Sequence, residues 1–393
     1  MQNPFKQHFL LNPEITYLGF GSFGSCAKPV FENYQKWQRE LEFEPVQFIT
    51  VNGYEYLKRS REALGKYIHC SPDDVVYTMN PSYAINTIAK SMKLQAGDEI
   101  LATNLEYGAL DKTWNYYCKK AGAIYKRQVI TLPLISKEKF IEEFFSGLTP
   151  KTKAIFISEI TSTTALKFPV KEICEIAKEK GLLTIVDGAH SPGHIPIDLS
   201  TLKADVYTGA CHKWMLTPKG CSFLYVKREL QHLFDPLIIS WGYDSAPDSY
   251  REPSHSQFLD WHQLQGTRDF SAFLTVPKAI EFLNEHNWEK VAADCRALVQ
   301  KNAQRFCDLL DTKPLSPIND EFLGQMLSVQ INTTEPEKLQ RHLFEKYKIE
   351  VPVMRHEHYM FIRFSIQAYN SQEDLDILYN ALKEIKAEGI LIK

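Results

Sequence analysis

The stretch Leu182-Leu-Thr-Ile-Val-Asp-Gly-Ala-His-Ser-Pro-Gly-His194 decides the architecture. Its first five residues are apolar or β-branched, follow Gly181 and end at the polar break that opens with Asp187, so they read as a strand buried on both faces. Immediately upstream, Val170 to Lys180 has helical spacing and stops at Gly181. Before that helix, Lys153-Ala-Ile-Phe-Ile-Ser158 reads as a second buried strand. Strand, helix and strand in that order build a parallel sheet covered by helices. Asp187 and the residues after Ser158 then fall at the carboxyl ends of strands, where open α/β sheets hold their ligands.

The same alternation extends in both directions. Ser82 to Leu94 sets Ile85, Ile88, Ala89 and Met92 on one helical stripe, and Gly97-Asp98 turns the chain into the strand Glu99-Ile-Leu-Ala102. Downstream, Asp205-Val-Tyr-Thr208, a Pro218-Lys-Gly220 turn and Cys221 to Val226 continue the sheet. Asp235 to Trp261 holds prolines and aromatics with little periodicity and is expected to be a long functional loop. From about Thr267 the pattern changes to long helices, notably Trp288 to Leu310. The last helix opens at Ser371 with Asp374 three residues on, and carries a stripe of Leu375, Leu378, Ala381, Leu382 and Ile385.

Composition narrows the partners. The 393 residues include 45 Lys and Arg against 48 Asp and Glu, so there is no positive excess to follow a nucleic-acid backbone or an anionic membrane face. No apolar run approaches the ~20 residues of a membrane helix, and Met1 to Phe9 does not resemble a secretory signal, so a cytoplasmic location is expected. The eight cysteines lack any CxxC pair, which argues against a zinc cluster or a disulfide framework.

Between Thr184 and Val226, apolar strands are separated by breaks holding Asp187, His190, His212 and Lys213. A lysine amine made reactive near neutrality by desolvation or nearby positive charge suits an imine linkage to a carbonyl cofactor. A carboxylate at a strand end suits a pyridinium nitrogen, which makes the ring an electron sink. A metal site from Asp187, His190, His194 and His212 fits no zinc spacing and leaves Lys213 unexplained, so His194 is read as a structural histidine.

Thr184-Ile-Val-Asp-Gly-Ala-His-Ser-Pro-Gly-His194 followed by Ala204-Asp-Val-Tyr-Thr-Gly-Ala-Cys-His-Lys-Trp214 resembles the class V, fold-type I aminotransferase superfamily, whose cofactor is pyridoxal 5'-phosphate (PLP), and within it the isopenicillin N epimerase-like group. Gly21-Ser-Phe-Gly24, Glu106-Tyr-Gly-Ala109, Gly266-Thr-Arg-Asp269, Ile362-Arg-Phe-Ser365 and Tyr369-Asn370 extend the similarity over nearly the whole chain. The resemblance implies a mostly parallel, seven-stranded sheet between helices in a large domain, with a smaller α+β domain at the C-terminus. The expected division is residues 1–25 as a segment lining the active site, 26–265 as the large domain and 266–393 as the small one.

It further implies that Lys213 forms the internal aldimine, that Asp187 pairs with the pyridine nitrogen and that His190 lies near the ring and its phenolic oxygen. Tyr107 stacks on the ring face away from Lys213. Pro81, Ser82 and His212 form the phosphate site, with Thr267 reaching in from a second subunit of a homodimer, and Ser162 near the ring oxygen. Arg363, whose fork matches a planar carboxylate, and Ser22 are expected to bind an amino-acid-like substrate. Three positions depart from the family: Ala210 where a phosphate-binding Ser or Asn is common, Thr161 and Ser162 where near relatives carry Asn, and Gly19 where the epimerase group carries Asn.

The shared chemistry is removal of a Cα proton, after which epimerisation, β-elimination and transamination diverge. Epimerisation is expected first, with a β-eliminating C–S lyase or an aminotransferase as alternatives and a non-catalytic PLP-binding protein as the reading from another class. A persulfide-forming desulfurase needs a mobile cysteine late in the chain, and none follows Cys307. For inversion, a second acid is wanted opposite Lys213, and Tyr107 is the candidate.

Overall fold

Seven strands form the central sheet of this computed structural model, which describes residues 3–243, 256–389 and 391–392. Their order is Val75–Thr78, Ser222–Val226, Val206–Gly209, Leu183–Gly188, Thr152–Ser158, Glu99–Thr103 and Ile124–Gln128. Only Ser222–Val226 runs antiparallel to its neighbours. The remaining neighbouring pairs are parallel, which requires crossovers, and helices such as Gly108–Ala121 and Val170–Glu179 supply them. Ile155, Phe156, Ile157, Ile185, Val186 and Val206 are fully buried, as strands covered on both faces must be.

A second core forms around the antiparallel sheet Val353–His356, Tyr359–Ser365 and Met326–Gln330, packed with the helices Trp288–Leu309, Pro336–Tyr347 and Gln372–Glu388. The last helix begins with the expected capping box, Ser371 with Asp374, and buries its stripe of Leu375, Leu378, Ala381, Leu382 and Ile385. Phe270, Phe273, Val276, Phe282 and Trp288 pack into the large core, so the chain stays on the sheet domain until the start of the long helix.

The N-terminal segment joins the two cores. Thr16–Tyr17 pairs in parallel with Ile349–Glu350, Leu18 enters the smaller core, and Phe9, Phe20 and Ala27 enter the larger one. Residues 19–24 therefore cross the cleft between them. Part of the expected loop Asp235 to Trp261 lies outside the described residues, at 244–255, and its end is helical. Ser256 caps the helix Gln257–Gln263 by accepting from the Leu259 N–H. Among the described residues no helix is long and apolar enough to cross a membrane.

Candidate active site

Three strand ends lie side by side, with Ser158, Asp187 and Thr208 in register. After Gly188 the chain folds back through the turn Ser191–His194, where Gly193 takes a positive φ of 81° against the Trp214 backbone. This turn brings His190 over the lysine, and Nζ of Lys213 stands 3.2 Å from Nε2 of His190. Burial takes the Lys213 amine down to about 7, helped by the charge of Arg363 and opposed by Asp187. A desolvated amine of that kind is a nucleophile near neutrality.

Asp187 is buried and its Oδ1 accepts the Ala189 N–H at 3.0 Å. Among the described residues no donor is assigned to Oδ2, so one face of this carboxylate is open to a ligand cation. Desolvation raises its pKa, while Lys213 and the Ala189 N–H lower it. His190 is held neutral, chiefly by burial and then by Lys213 and Arg363. His194 has the structural role expected for it. Its Nδ1 bonds the His190 carbonyl at 2.9 Å, its Nε2 accepts the Gln325 N–H at 2.5 Å, and its ring lies 4.1 Å from that of Trp214.

Arg363 forms the second part of the site. It is 1% exposed, and its hydrogen-bond partners among the described residues are Ser22 and Ser162, with no carboxylate. Its Nη2 donates to Ser22 Oγ at 2.8 Å, its Nη1 donates to the Ser162 carbonyl and lies 3.3 Å from Ser162 Oγ, and its Nε is buried without a partner. Burial pulls its pKa down to about 10, against the influence of Tyr17 and Tyr107. Such a guanidinium lacks the counter-charge that burial demands. A planar carboxylate supplies it.

The helix Pro81–Ser91 points its start into the same region. Asn80 caps it by accepting the Tyr83 N–H at 2.8 Å, and Pro81 has no N–H, so the Ser82 N–H has no intrahelical acceptor. That is an anion site in the making. His212 holds its Nδ1 proton on the Cys221 carbonyl at 2.9 Å and leaves Nε2 free, with burial taking its pKa down to about 4. Tyr107 caps the helix Gly108–Ala121 and is 45% exposed, leaving a ring face available for stacking.

Thr267 stands apart, exposed on the loop that follows Leu264 and beside Trp241 and Phe270. Thr161 spends its hydroxyl within its own turn, on Thr164 and the Leu166 N–H. Ser162 sits with Arg363. A larger groove of about 690 Å³ is lined by Tyr67, His194, Ile280 and Trp288, and neither Lys213, Asp187 nor Arg363 lines it.

Glu106, Trp214 and three glycines also shape the site. Glu106 is buried, accepting from Thr103 Oγ1 at 2.6 Å, the Ser158 N–H at 2.8 Å and Ser158 Oγ at 2.5 Å, and burial pushes its carboxyl up to about 8. Its signal in the sequence is a carboxylate between a strand end and a helix start. Trp214, next to Lys213, donates to His190. Gly19, Gly21 and Gly24 have the GxGxxG spacing of a dinucleotide turn, but they follow no strand of the main sheet. They serve close approach instead: a side chain on Gly21 would meet Met326 and Ser365, and one on Gly24 would meet the Lys213 backbone.

The Aminotransferase class-V family model matches residues 44–378, and the chain belongs to that family of PLP-dependent enzymes. It is 29% identical to isopenicillin N epimerase of Amycolatopsis lactamdurans over 97% of both chains. An L-cysteine desulfhydrase-like protein of Epichloe uncinata is 23% identical over 98% of this chain and 96% of its own. The apo structure of a cysteine desulfurase from Thermococcus onnurineus superposes with a TM-score of 0.81 at 20% identity, covering 98% of each chain, which is a likeness of fold. The donor set fits the family's cofactor: a buried amine, an open carboxylate oxygen, an unsatisfied helix start and a stacking aromatic.

Proposed function

We propose that this chain inverts Cα of an amino acid or amino-acid-like substrate, as the name of its isopenicillin N epimerase relatives describes. The observation that carries the reading is Arg363, a buried cation without a counter-ion among the described residues, whose charge acts on Lys213. A group that attacks or deprotonates beside an amine and a group that pairs with a carboxylate together define an α-amino acid as substrate. Bound PLP supplies an electron sink for the pair left at Cα.

Lys213 takes the Cα proton on its own face, because burial brings its amine down to about 7 and so makes the free base available near neutrality. Asp187 would hold the ring nitrogen of the cofactor, His190 its ring oxygen, and Ser82 with His212 its phosphate. Arg363, with Ser22 and Ser162 around its fork, orients the substrate carboxylate. Tyr107, close enough to Arg363 to influence its charge, is the proton donor for the opposite face. A homodimer is part of the proposal. The exposed Thr267, together with Met79 at 48% and Trp241 at 76% exposure, supports a second subunit at this edge.

A second reading, β-eliminating C–S lyase, is favoured by the desulfhydrase-like relative and needs no group opposite Lys213. A persulfide carrier has less support, since burial pushes the Cys26 thiol up to about 12 and also raises that of Cys211. Incubating the PLP-saturated protein in deuterated water with a panel of L- and D-amino acids separates these. Inversion with Cα deuteration and no pyruvate supports the epimerase; pyruvate and ammonia point to the lyase; no exchange with any amino acid removes both.

A further inference from the structure

Trp214 follows Lys213 in the chain and is fully buried, and its indole is turned towards the reactive groups. Nε1 donates to Nδ1 of His190 over 3.3 Å. An indole N–H can only donate, so Nδ1 must present its lone pair. A neutral imidazole carries one proton, which then resides on Nε2. That nitrogen faces Lys213 Nζ at 3.2 Å. With Nε2 the donor, the lysine has to accept, and only the unprotonated amine has a lone pair to do so.

Each of the other protonation patterns sets two donors against each other at one of these two contacts. An imidazolium would set an N–H against the indole N–H. A lysine ammonium would need the lone pair at Nε2, which moves the imidazole proton to Nδ1 and again sets two donors face to face. At the Trp214–His190 contact, which is buried, opposed donors lose their hydrogen bond. The indole has little freedom to turn away, because its ring lies 4.9 Å from Phe20 and 4.1 Å from His194. His194 is itself fixed in the opposite tautomer: its Nδ1 bonds a carbonyl and so carries the proton, while its Nε2 accepts from the Gln325 N–H.

We propose that Trp214 is a positioning residue that holds His190 in the Nε2–H tautomer and thereby keeps Lys213 as the free amine. The proposal deepens the reading of Lys213 as the cofactor lysine and rests on it. The charges facing the pair are accounted for. Arg363 disfavours a cation at either residue, His194 and His212 disfavour one at His190, and Asp187 alone favours one at Lys213. Trp214 adds a directional constraint that Asp187 does not oppose, since it acts through the imidazole.

Two measurements on the full-length protein test this. Long-range proton–nitrogen correlation of protein labelled with nitrogen-15 histidine, with His190 assigned from a His190→Gln variant, is expected to show Nδ1 bare and Nε2 protonated. A protonated Nδ1 in the cofactor-free wild type overturns the proposal. The second follows the rate at which added PLP, trapped with borohydride, labels Lys213 across a pH series. In Trp214→Phe, which keeps the ring and removes the donor, the midpoint is expected to move up, with labelling below it slower by roughly five- to tenfold. Labelling of Lys213 with an unmoved midpoint, even in a less stable variant, means a packing role only and overturns the proposal. Labelling elsewhere than Lys213 overturns the reading beneath it, which is a different result.

Discussion

Gly24 packs its α-carbon against the backbone of Lys213: a Cβ built on Gly24 would lie 2.8 Å from Lys213 Cα, and closer still to the His212 carbonyl. Its φ of 66° and ψ of 179° belong to a region that only glycine adopts readily. Lys219 adds a bond from Nζ to the Gly24 carbonyl at 3.2 Å. Gly24→Ala combines backbone strain with a clash and is expected to cost about 3 kcal/mol of stability and to weaken PLP binding. Thermal unfolding and a PLP titration check it, and an unchanged midpoint and affinity would show that the segment does not bear on Lys213.

Arg363 separates binding from stability. Arg363→Met removes an unpaired buried charge, so thermal stability should hold or rise. The substrate carboxylate loses its partner, at about 2–5 kcal/mol or roughly 30-fold or more in KM. Unfolding curves and steady-state kinetics on an accepted amino acid check both halves. A variant that loses stability while keeping its KM would place Arg363 in the scaffold.

The buried carboxyl of Glu106 predicts a pH dependence whose sign is fixed. Its pKa is raised from the ordinary 4.5 to about 8, so between these values the unfolded chain has lost a proton that the folded protein keeps. Stability therefore falls as pH rises through this window. Glu106→Gln cannot ionise, and its stability relative to the wild type is expected to improve across the window by on the order of a few kcal/mol. Denaturant midpoints of both proteins at several pH values measure this, and a variant whose stability relative to the wild type does not improve with rising pH contradicts the assignment.

Tyr107 divides inversion from proton removal. In Tyr107→Phe, loss of the acid on the far face should slow inversion by about 100-fold or more, while Lys213 continues to exchange the Cα proton. Deuterium uptake and chiral analysis of one reaction mixture give both rates. Inversion at the wild-type rate removes Tyr107 from the role.

Much of the sheet was legible because its strands are short apolar runs that end at glycines or polar breaks. Thr152–Ser158 and Leu183–Gly188 fall within a residue or two of their expected bounds, and Asp187 lies at the carboxyl end as predicted. The helices Lys28–Phe43 and Gly53–Ile68 carried less signal; the first buries only Val30 and Leu41 among many charged residues. Gln257–Gln263 was hidden in a stretch too short and aromatic to show periodicity. At the site, Lys213, Asp187 and His190 were legible from one pair of strand ends. The opposed lone pair and N–H between Trp214 and His190, and the enclosure of Glu106 by Thr103 and Ser158, arise from side-chain directions that linear spacing does not encode.

The proposed chemistry puts the cofactor on the amine of Lys213. Protein saturated with PLP, reduced with borohydride and digested should yield one modified peptide, with the added mass on Lys213 and the visible absorbance of the bound cofactor lost in step. Recovery of that peptide unmodified, with label absent or spread over surface lysines, would contradict the account.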